Sequence, residues 1–335
     1  MSMNRLGLSF GWREKSLTDI VSSCQIAEEA ELDSVWIPEA WGRDAFVTLA
    51  TIANTTQHIK LATGIVNVYS RSPAAIAMST ATLEELSHGR AILGLGSSGS
   101  AVIERWHGIH FQKPLTRLRE SVTIIRQILS GGQVNHQGEL FQVGGFRLAT
   151  QAPARNVPIY IAALGPKMLK LSGEIADGAL LYLCPPSRVQ DAIAQIQKGA
   201  EHVGRSSGSV DIAAFLPTYV SENVDRARFT VARTIAYYVG GMGAYYHRMV
   251  SRSGFKAEAD GIRAAWQRGD RSAATKQVTQ NLIDSVSLVG SAAECRARLE
   301  DFRKAGVTLP ILSLSISDEE GKRSVSDSIK ALAGD

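Results

Sequence analysis

The feature that most restricts the fold is a regular alternation of short apolar segments with helical ones. Leu6–Phe10, Ser34–Pro38, Ile59–Val68, Ala91–Gly96, Val157–Ala162, Gly178–Leu183, Val210–Tyr219 and Ile311–Ile316 read as strands. They are apolar along both edges, as strands buried on both faces must be. Between them lie helical patterns. Leu17 to Ala30 places Leu17, Ile20, Val21, Cys24, Ala27 and Ala30 at helical spacing. Pro73 opens a helix that ends at His88-Gly89, with proline at the start and glycine past the end. Ala45–Thr56, Thr116–Leu129, Pro166–Ala176, Ser187–Val203, Val224–Val239 and Ala292–Ala305 are further helices. Alternating βα units build a parallel sheet. Eight of them close into a (β/α)8 TIM barrel, with a doubly wound open sheet as the rival. The expectation is one barrel domain over residues 1–335, with a hairpin excursion at Val134–Leu148 and a helical insertion at Gly240–Ser285. The insertion either covers the barrel mouth or forms an outer packing layer.

Composition limits the function classes. The chain has 335 residues, of which 44% are hydrophobic and 20% charged, enough for a large dry core. Net charge is +4, with lysines and arginines scattered and no basic run, which argues against nucleic acid. No apolar run reaches membrane-spanning length. Cys24, Cys184 and Cys295 lie far apart without a CxxC pair, the pattern of a reducing, cytoplasmic compartment.

In a barrel the residues after each strand converge on one pocket. Here they are Gly11-Trp12, Glu39-Ala40-Trp41-Gly42-Arg43, Gly64 to Tyr69, Gly96-Ser97-Ser98, Ala163-Leu164-Gly165-Pro166 and Cys184-Pro185. Small, aromatic and uncharged groups dominate, a lining suited to a flat aromatic cofactor. Gly94, Gly96 and Gly99 match the letters of a dinucleotide fingerprint. No acidic residue closes a second strand about twenty residues on, so the Rossmann reading is weak. Close approach to a planar ring is the alternative, with Ser97 and Ser98 as hydrogen-bond donors. Leu164-Gly165-Pro166-Lys167-Met168 opens a helix, and its free N–H groups with Lys167 make an anion seat. A plain helix start is the bland alternative.

Glu39 follows an early strand directly and is read either as a cofactor or proton-relay group or as a salt bridge to Arg43. Glu104 and His107 share a helical face and are candidate acid–base groups, or else a surface pair. His107 and His110 lack the spacing and carboxylate of a zinc helix, and no metal site is expected. There is no GxSxG nucleophile motif.

Several segments together resemble the luciferase-like superfamily. They include Trp36 to Ala45, Leu61-Ala62-Thr63-Gly64-Ile65-Val66, Arg71-Ser72-Pro73-Ala74, Leu83 to Arg90, Leu93-Gly94-Leu95-Gly96, Trp106-His107-Gly108, Pro114 to Glu120 and Gly165-Pro166-Lys167-Met168. More closely, they resemble its branch of coenzyme F420-dependent oxidoreductases, such as methylenetetrahydromethanopterin reductase-like enzymes. The likeness covers nearly the whole chain and weakens between Gly204 and Ser285.

The resemblance implies a deazaflavin ring at the barrel mouth, backed by a non-proline cis peptide at Gly64-Ile65. It implies a phosphate loop at Ala163-Leu164-Gly165-Pro166-Lys167 and ring contacts from Glu39, Gly96, Ser97, Ser98 and Val102. It also implies hydride transfer to or from a small organic substrate, and a homodimer. One departure stands out. Several deazaflavin dehydrogenases carry a histidine base where this chain has Ala40, which leaves Glu39, Glu104, His107 or a bound water as proton donors. An FMN-dependent monooxygenase and a non-catalytic cofactor-binding protein are the alternatives.

Overall fold

The computed structural model describes residues 5–11, 16–315 and 319–333. Trp12 and Ile316, named above, lie outside the described residues. The first half of the chain runs β1 (Gly7–Phe10), α1 (Leu17–Glu29), β2 (Ser34–Ile37), α2 (Ala45–Ala53), β3 (Lys60–Thr63), β4 (Val66–Asn67), α3 (Pro73–Leu86), β5 (Ala91–Gly96), α4 (Ser100–Arg105) and α5 (Pro114–Leu129). A hairpin of β6 (Val134–Gln137) and β7 (Gln142–Phe146) follows. Then come β8 (Ile159–Ala162), α6 (Pro166–Ile175), β9 (Gly178–Tyr182), α7 (Pro186–His202), β10 (Asp211–Val220) and α8 (Val224–Gly241). The remainder is α9 (Ala244–Arg252), α10 (Lys256–Gln267), α11 (Arg271–Lys276), α12 (Gln280–Val286), β11 (Leu288–Gly290), α13 (Ala292–Lys304), β12 (Leu309–Leu314) and α14 (Glu319–Ala333).

Strands β1, β2, β3, β5, β8, β9, β10 and β12 pair in parallel around a closed ring, because β12 pairs with β1 as well as with β10. This is the (β/α)8 barrel expected from the alternation. The third predicted strand, Ile59–Val68, is in fact two pieces, β3 and β4, broken by the cis peptide Gly64–Ile65. The short helix α4, strand β11 and the closing helix α14 add to the predicted elements. Strand β11 extends the sheet only beside the last residues of β10, pairing Thr218 with Leu288.

Alternation along the strands divides the core. One set of side chains points outward to the helices and includes Val35, Leu61, Leu93, Ile159, Leu181 and Leu312. The other fills the barrel: Trp36, Ala62, Ile92, Tyr160, Leu180, Ala213, Leu309 and Ile311. Trp36 is fully buried and donates its indole N–H to Ser34 Oγ at 2.9 Å. Its ring meets those of Tyr160 and Phe215 edge-on, at 5.2 and 6.0 Å between centroids. This aromatic plug closes the barrel interior, so space for a ligand is left toward the C-terminal strand ends.

The N-terminal end of the barrel is tied by charge. Arg5 bonds Asp33 at 3.0 Å and Asp211 at 2.7 Å, and Tyr160 donates to Asp211 at 2.6 Å. Helices α8–α12 carry a core of their own, built on Val231, Ile235, Val239, Ile262, Leu282 and Ile283. Trp266 of α10 packs so closely on α8 that a Cβ at Gly240 would lie 2.7 Å from it.

Candidate cofactor and substrate site

A cavity of about 1560 Å³ opens at the C-terminal ends of the strands. A pocket for one drug-sized ligand measures about 300–1,000 Å³, so this one has room for a cofactor and a substrate together. Its walls come from the strand-end loops on one side and from α8–α11 on the other. The residues at 240–285 therefore form part of the mouth.

The strand-end wall is built around the β3–β4 break. Thr63 Oγ1 donates to Gly94 O and accepts from Gly94 N, both at 2.8 Å, and so holds β5 beside the end of β3. A Cβ at Gly94 would sit 2.0 Å from Thr63 O, and one at Gly96 would sit 2.9 Å from Ile65 Cδ1. The two glycines thus make room for the neighbouring break. Gly96 also lines the cavity, beside Gly64, Ile65, Ser97, Ser98 and Val102. Ser98 has a positive φ of 56°, which turns the chain from β5 into α4.

The opposite side of the loop wall holds Leu164, Gly165, Pro166 and Lys167. Gly165 caps α6 without any side-chain hydrogen bond, and a Cβ there would meet nothing within 4 Å. The N-terminus of α6 is therefore open toward the cavity, with Lys167 beside it. Free N–H groups, the helix dipole and a cation make a good anion seat. Ala163 is buried and absent from the lining; its N–H donates to Leu180 O at 3.0 Å and steadies the loop from behind.

Glu39 lines the cavity, but its carboxylate is already engaged. It accepts from Ala45 N at 3.0 Å and from Arg71 Nε and Nη2, both at 3.0 Å. Its ion-pair partner is thus Arg71, in place of the predicted Arg43. Arg71 also pairs with Asp44, the N-cap of α2, whose carboxylate accepts from Val47 N at 3.0 Å. The hydrogen bond to Glu39 raises the Arg71 pKa further. Burial opposes ionisation of Asp44, yet its bonds to Val47 N and Arg71 hold its pKa below the ordinary value.

Glu104 and His107 are exposed and absent from the cavity lining. Glu104 turns away to accept from Phe111 N at 3.2 Å and to face His110 at 3.6 Å. The helix α4 carries Glu104 but ends at Arg105, so the predicted shared face does not extend to His107.

What the cavity holds instead is a group of phenols. Tyr182, the last residue of β9, lies 4.6 Å from Tyr238 of α8 and 5.9 Å from Tyr246 of α9, measured between ring centroids. Tyr238 and Tyr246 are 4.9 Å apart. Burial, reinforced by the neighbouring phenols, holds the Tyr182 and Tyr246 hydroxyls protonated far above the ordinary tyrosine range. Tyr237 continues the aromatic row to Trp41 and Trp266, at 6.0 and 5.6 Å. Trp41 packs edge-on against Trp106 at the exposed rim, 4.3 Å between centroids.

A signal for Tyr182 stood in the sequence, since it lies next to the end of the predicted strand Gly178–Leu183. The helical tyrosines could not be placed without the tertiary packing of α8 on β10. Among the described residues no group of histidine, cysteine, aspartate or glutamate is arranged to hold a metal ion. No helix among them is long and apolar enough to cross a membrane.

Known proteins share this architecture. The chain is 35% identical over 307 residues to the 5,10-methylenetetrahydromethanopterin reductase of Methanolobus tindarius, covering 90% of this chain and 92% of that one. It is 35% identical over 203 residues to an F420-dependent glucose-6-phosphate dehydrogenase of Kineococcus radiotolerans, covering 55% and 59% of the two chains. The solved structure of the coenzyme F420-dependent tetrahydromethanopterin reductase from Methanopyrus kandleri superposes with a TM-score of 0.85 at 27% identity, over 99% of this chain and 98% of that one. The model of one family, the luciferase-like monooxygenases, matches residues 3–309, and the chain belongs to that family.

Proposed function

We propose that this chain is a coenzyme F420-dependent oxidoreductase that passes a hydride between the deazaflavin ring and a small organic substrate. The observation that carries this reading is the pairing, in one cavity, of a flat apolar wall with an open anion seat. Gly64, Ile65, Gly96, Ser97, Ser98 and Val102 form the wall, and Leu164, Gly165, Pro166 and Lys167 form the seat. The F420-dependent relatives support the choice of cofactor.

When bound, coenzyme F420 supplies a deazaflavin ring able to carry a hydride. The residues of this chain do the rest. Ile65 and Val102 would back the ring, and the α6 N-terminus with Lys167 would hold the cofactor's anionic part. Glu39, clamped by Arg71, fixes the loop after β2. The aromatic row from Trp41 to Tyr182 excludes water from the reacting atoms. When a carbonyl is reduced, its carbon receives the hydride and its oxygen needs a proton. The Tyr182 hydroxyl, which lines the cavity and stays protonated, supplies that proton, and the phenolate left behind regains one from water at the cavity mouth. This assigns to a tyrosine the task that a histidine at Ala40 would perform.

In this reading the chain acts in the cytoplasm as a homodimer. Val47 and Met78, exposed at 65% and 52% on α2 and α3, supply apolar surface for such a contact. Sedimentation velocity checks it, with a monomer at micromolar concentration as the contrary result.

The test of the function is a single turnover. Reduced coenzyme F420 bound to the protein is mixed with a panel of carbonyls and enones. Oxidation of the cofactor by at least one of them, with deuterium from the labelled cofactor found on product carbon, is expected. Absence of turnover across the panel despite tight cofactor binding would favour a binding protein without catalysis.

A further inference from the structure

The anion seat at α6 uses one cation of the cavity, Lys167. Four others line it from the helices after β10: Arg233 of α8, Arg248 and Arg252 of α9, and Arg271 of α11. Among the described lining residues Glu39 is the single carboxylate, and Arg71 already neutralises it. No carboxylate among the described residues forms an ion pair with any of the four arginines. Elsewhere the chain does pair its arginines, Arg126 with Asp177, Arg155 with Glu84 and Arg298 with Asp284.

All four arginines are solvent-exposed, and two details separate them from an ordinary solvated helix face. Arg248 and Arg252 stand one helical turn apart on α9, where like charges repel. Two of the guanidinium groups are also pre-positioned on aromatic rings. Arg271 lies 3.7 Å from the Trp266 ring centroid and donates to Trp266 O at 2.7 Å, and Arg248 lies 5.1 Å over Tyr245. A stacked guanidinium keeps edge N–H groups free for a carboxylate or phosphate.

We propose that this arginine wall receives an anionic end of the substrate, a carboxylate or phosphate, while the phenols of Tyr182, Tyr238 and Tyr246 surround its reacting part. The substrate class is then an anionic carbonyl or enone. The assignment rests on the oxidoreductase reading above for the word substrate; the charge of the wall stands on the arginines alone.

The probes are benzenetricarboxylate and its neutral triamide, titrated into the full chain by calorimetry and by the fluorescence of Trp266 and its neighbours. The tricarboxylate is expected to bind at least ~10-fold more tightly, with a preference that shrinks as salt is added. In R248Q/R252Q the preference should fall below ~3-fold, and R248K/R252K should restore most of it. Equal affinity for the two probes in the native chain overturns the proposal, as does a preference that survives in R248Q/R252Q with unchanged thermal stability. Coenzyme F420 is titrated in parallel. Unchanged cofactor affinity in R248Q/R252Q supports the assignment to substrate. A matching loss of cofactor affinity gives the arginines to the cofactor's own anionic groups and overturns it. Failure of the native chain to bind F420 would sink the cofactor reading, while the two-probe comparison still decides the charge of the wall.

Discussion

Arg71 decides what Glu39 can do. A carboxylate at a strand end beside a cofactor cavity looks like a base when read from sequence. With two guanidinium bonds and a backbone N–H on it, it is a clamp. Replacing Arg71 with Ala should free the loop after β2, weaken cofactor affinity about tenfold and leave the pH profile of the chemical step unmoved. A fluorescence titration with a pH–rate series checks both. Lys167 makes the opposite case, because its position beside an uncapped helix start was legible in Gly165-Pro166-Lys167. Lys167→Gln should cost about 1 kcal/mol of cofactor affinity, as expected for one cation near a helix-terminus anion site. Tyr182→Phe removes the hydroxyl and keeps the ring. In stopped-flow turnover it should lower the rate of carbonyl reduction about 100-fold or more with cofactor affinity unchanged. An unchanged rate would remove Tyr182 as the donor.

The strand pattern was legible because strands buried on both faces carry long apolar runs, and all eight staves of the barrel lie where those runs are. The break in the third was not legible from periodicity, since apolar residues continue on both sides of it, Leu61-Ala62 before and Ile65-Val66 after. The resemblance alone pointed to Gly64–Ile65, where the cis peptide is found. The glycines of β5 illustrate the same limit. Gly94-Leu95-Gly96 reads as a ligand cradle, yet Gly94 is required by Thr63 O and Gly96 by Ile65, on the neighbouring strand. Gly94→Ala would put its Cβ 2.0 Å from a backbone oxygen and should destabilise the fold by about 3 kcal/mol or more, as overpacking against backbone does. Chemical denaturation measures it. Glu104 and His107 lie outside the cavity lining, and α4 ends at Arg105 before the helical register that would join them.

At the scale of the molecule, the barrel separates stability from chemistry. The plug of Trp36, Tyr160 and Phe215 and the Arg5, Asp33 and Asp211 cluster hold one end, and the cavity opens at the other. Burial opposes ionisation of Asp33, but hydrogen bonds from Arg5 and Lys60 outweigh it and hold its pKa below the usual 3.8. Its folded pKa is therefore lower than its unfolded one. The stability it contributes is present above pH 3.8 and is lost as pH falls through the depressed value. Asp33→Asn should cost about 3 kcal/mol at neutral pH and flatten the loss of stability in acid, read from melts at stepped pH. At the open end we propose that the cavity is a deazaflavin site. The most direct measurement is a paired titration of the purified chain with coenzyme F420 and with FMN, followed by fluorescence and oxygen uptake. The account predicts micromolar or tighter affinity for F420, at least ~100-fold weaker affinity for FMN and no oxygen consumption. Tight FMN binding with oxygen uptake, and none for F420, would contradict it.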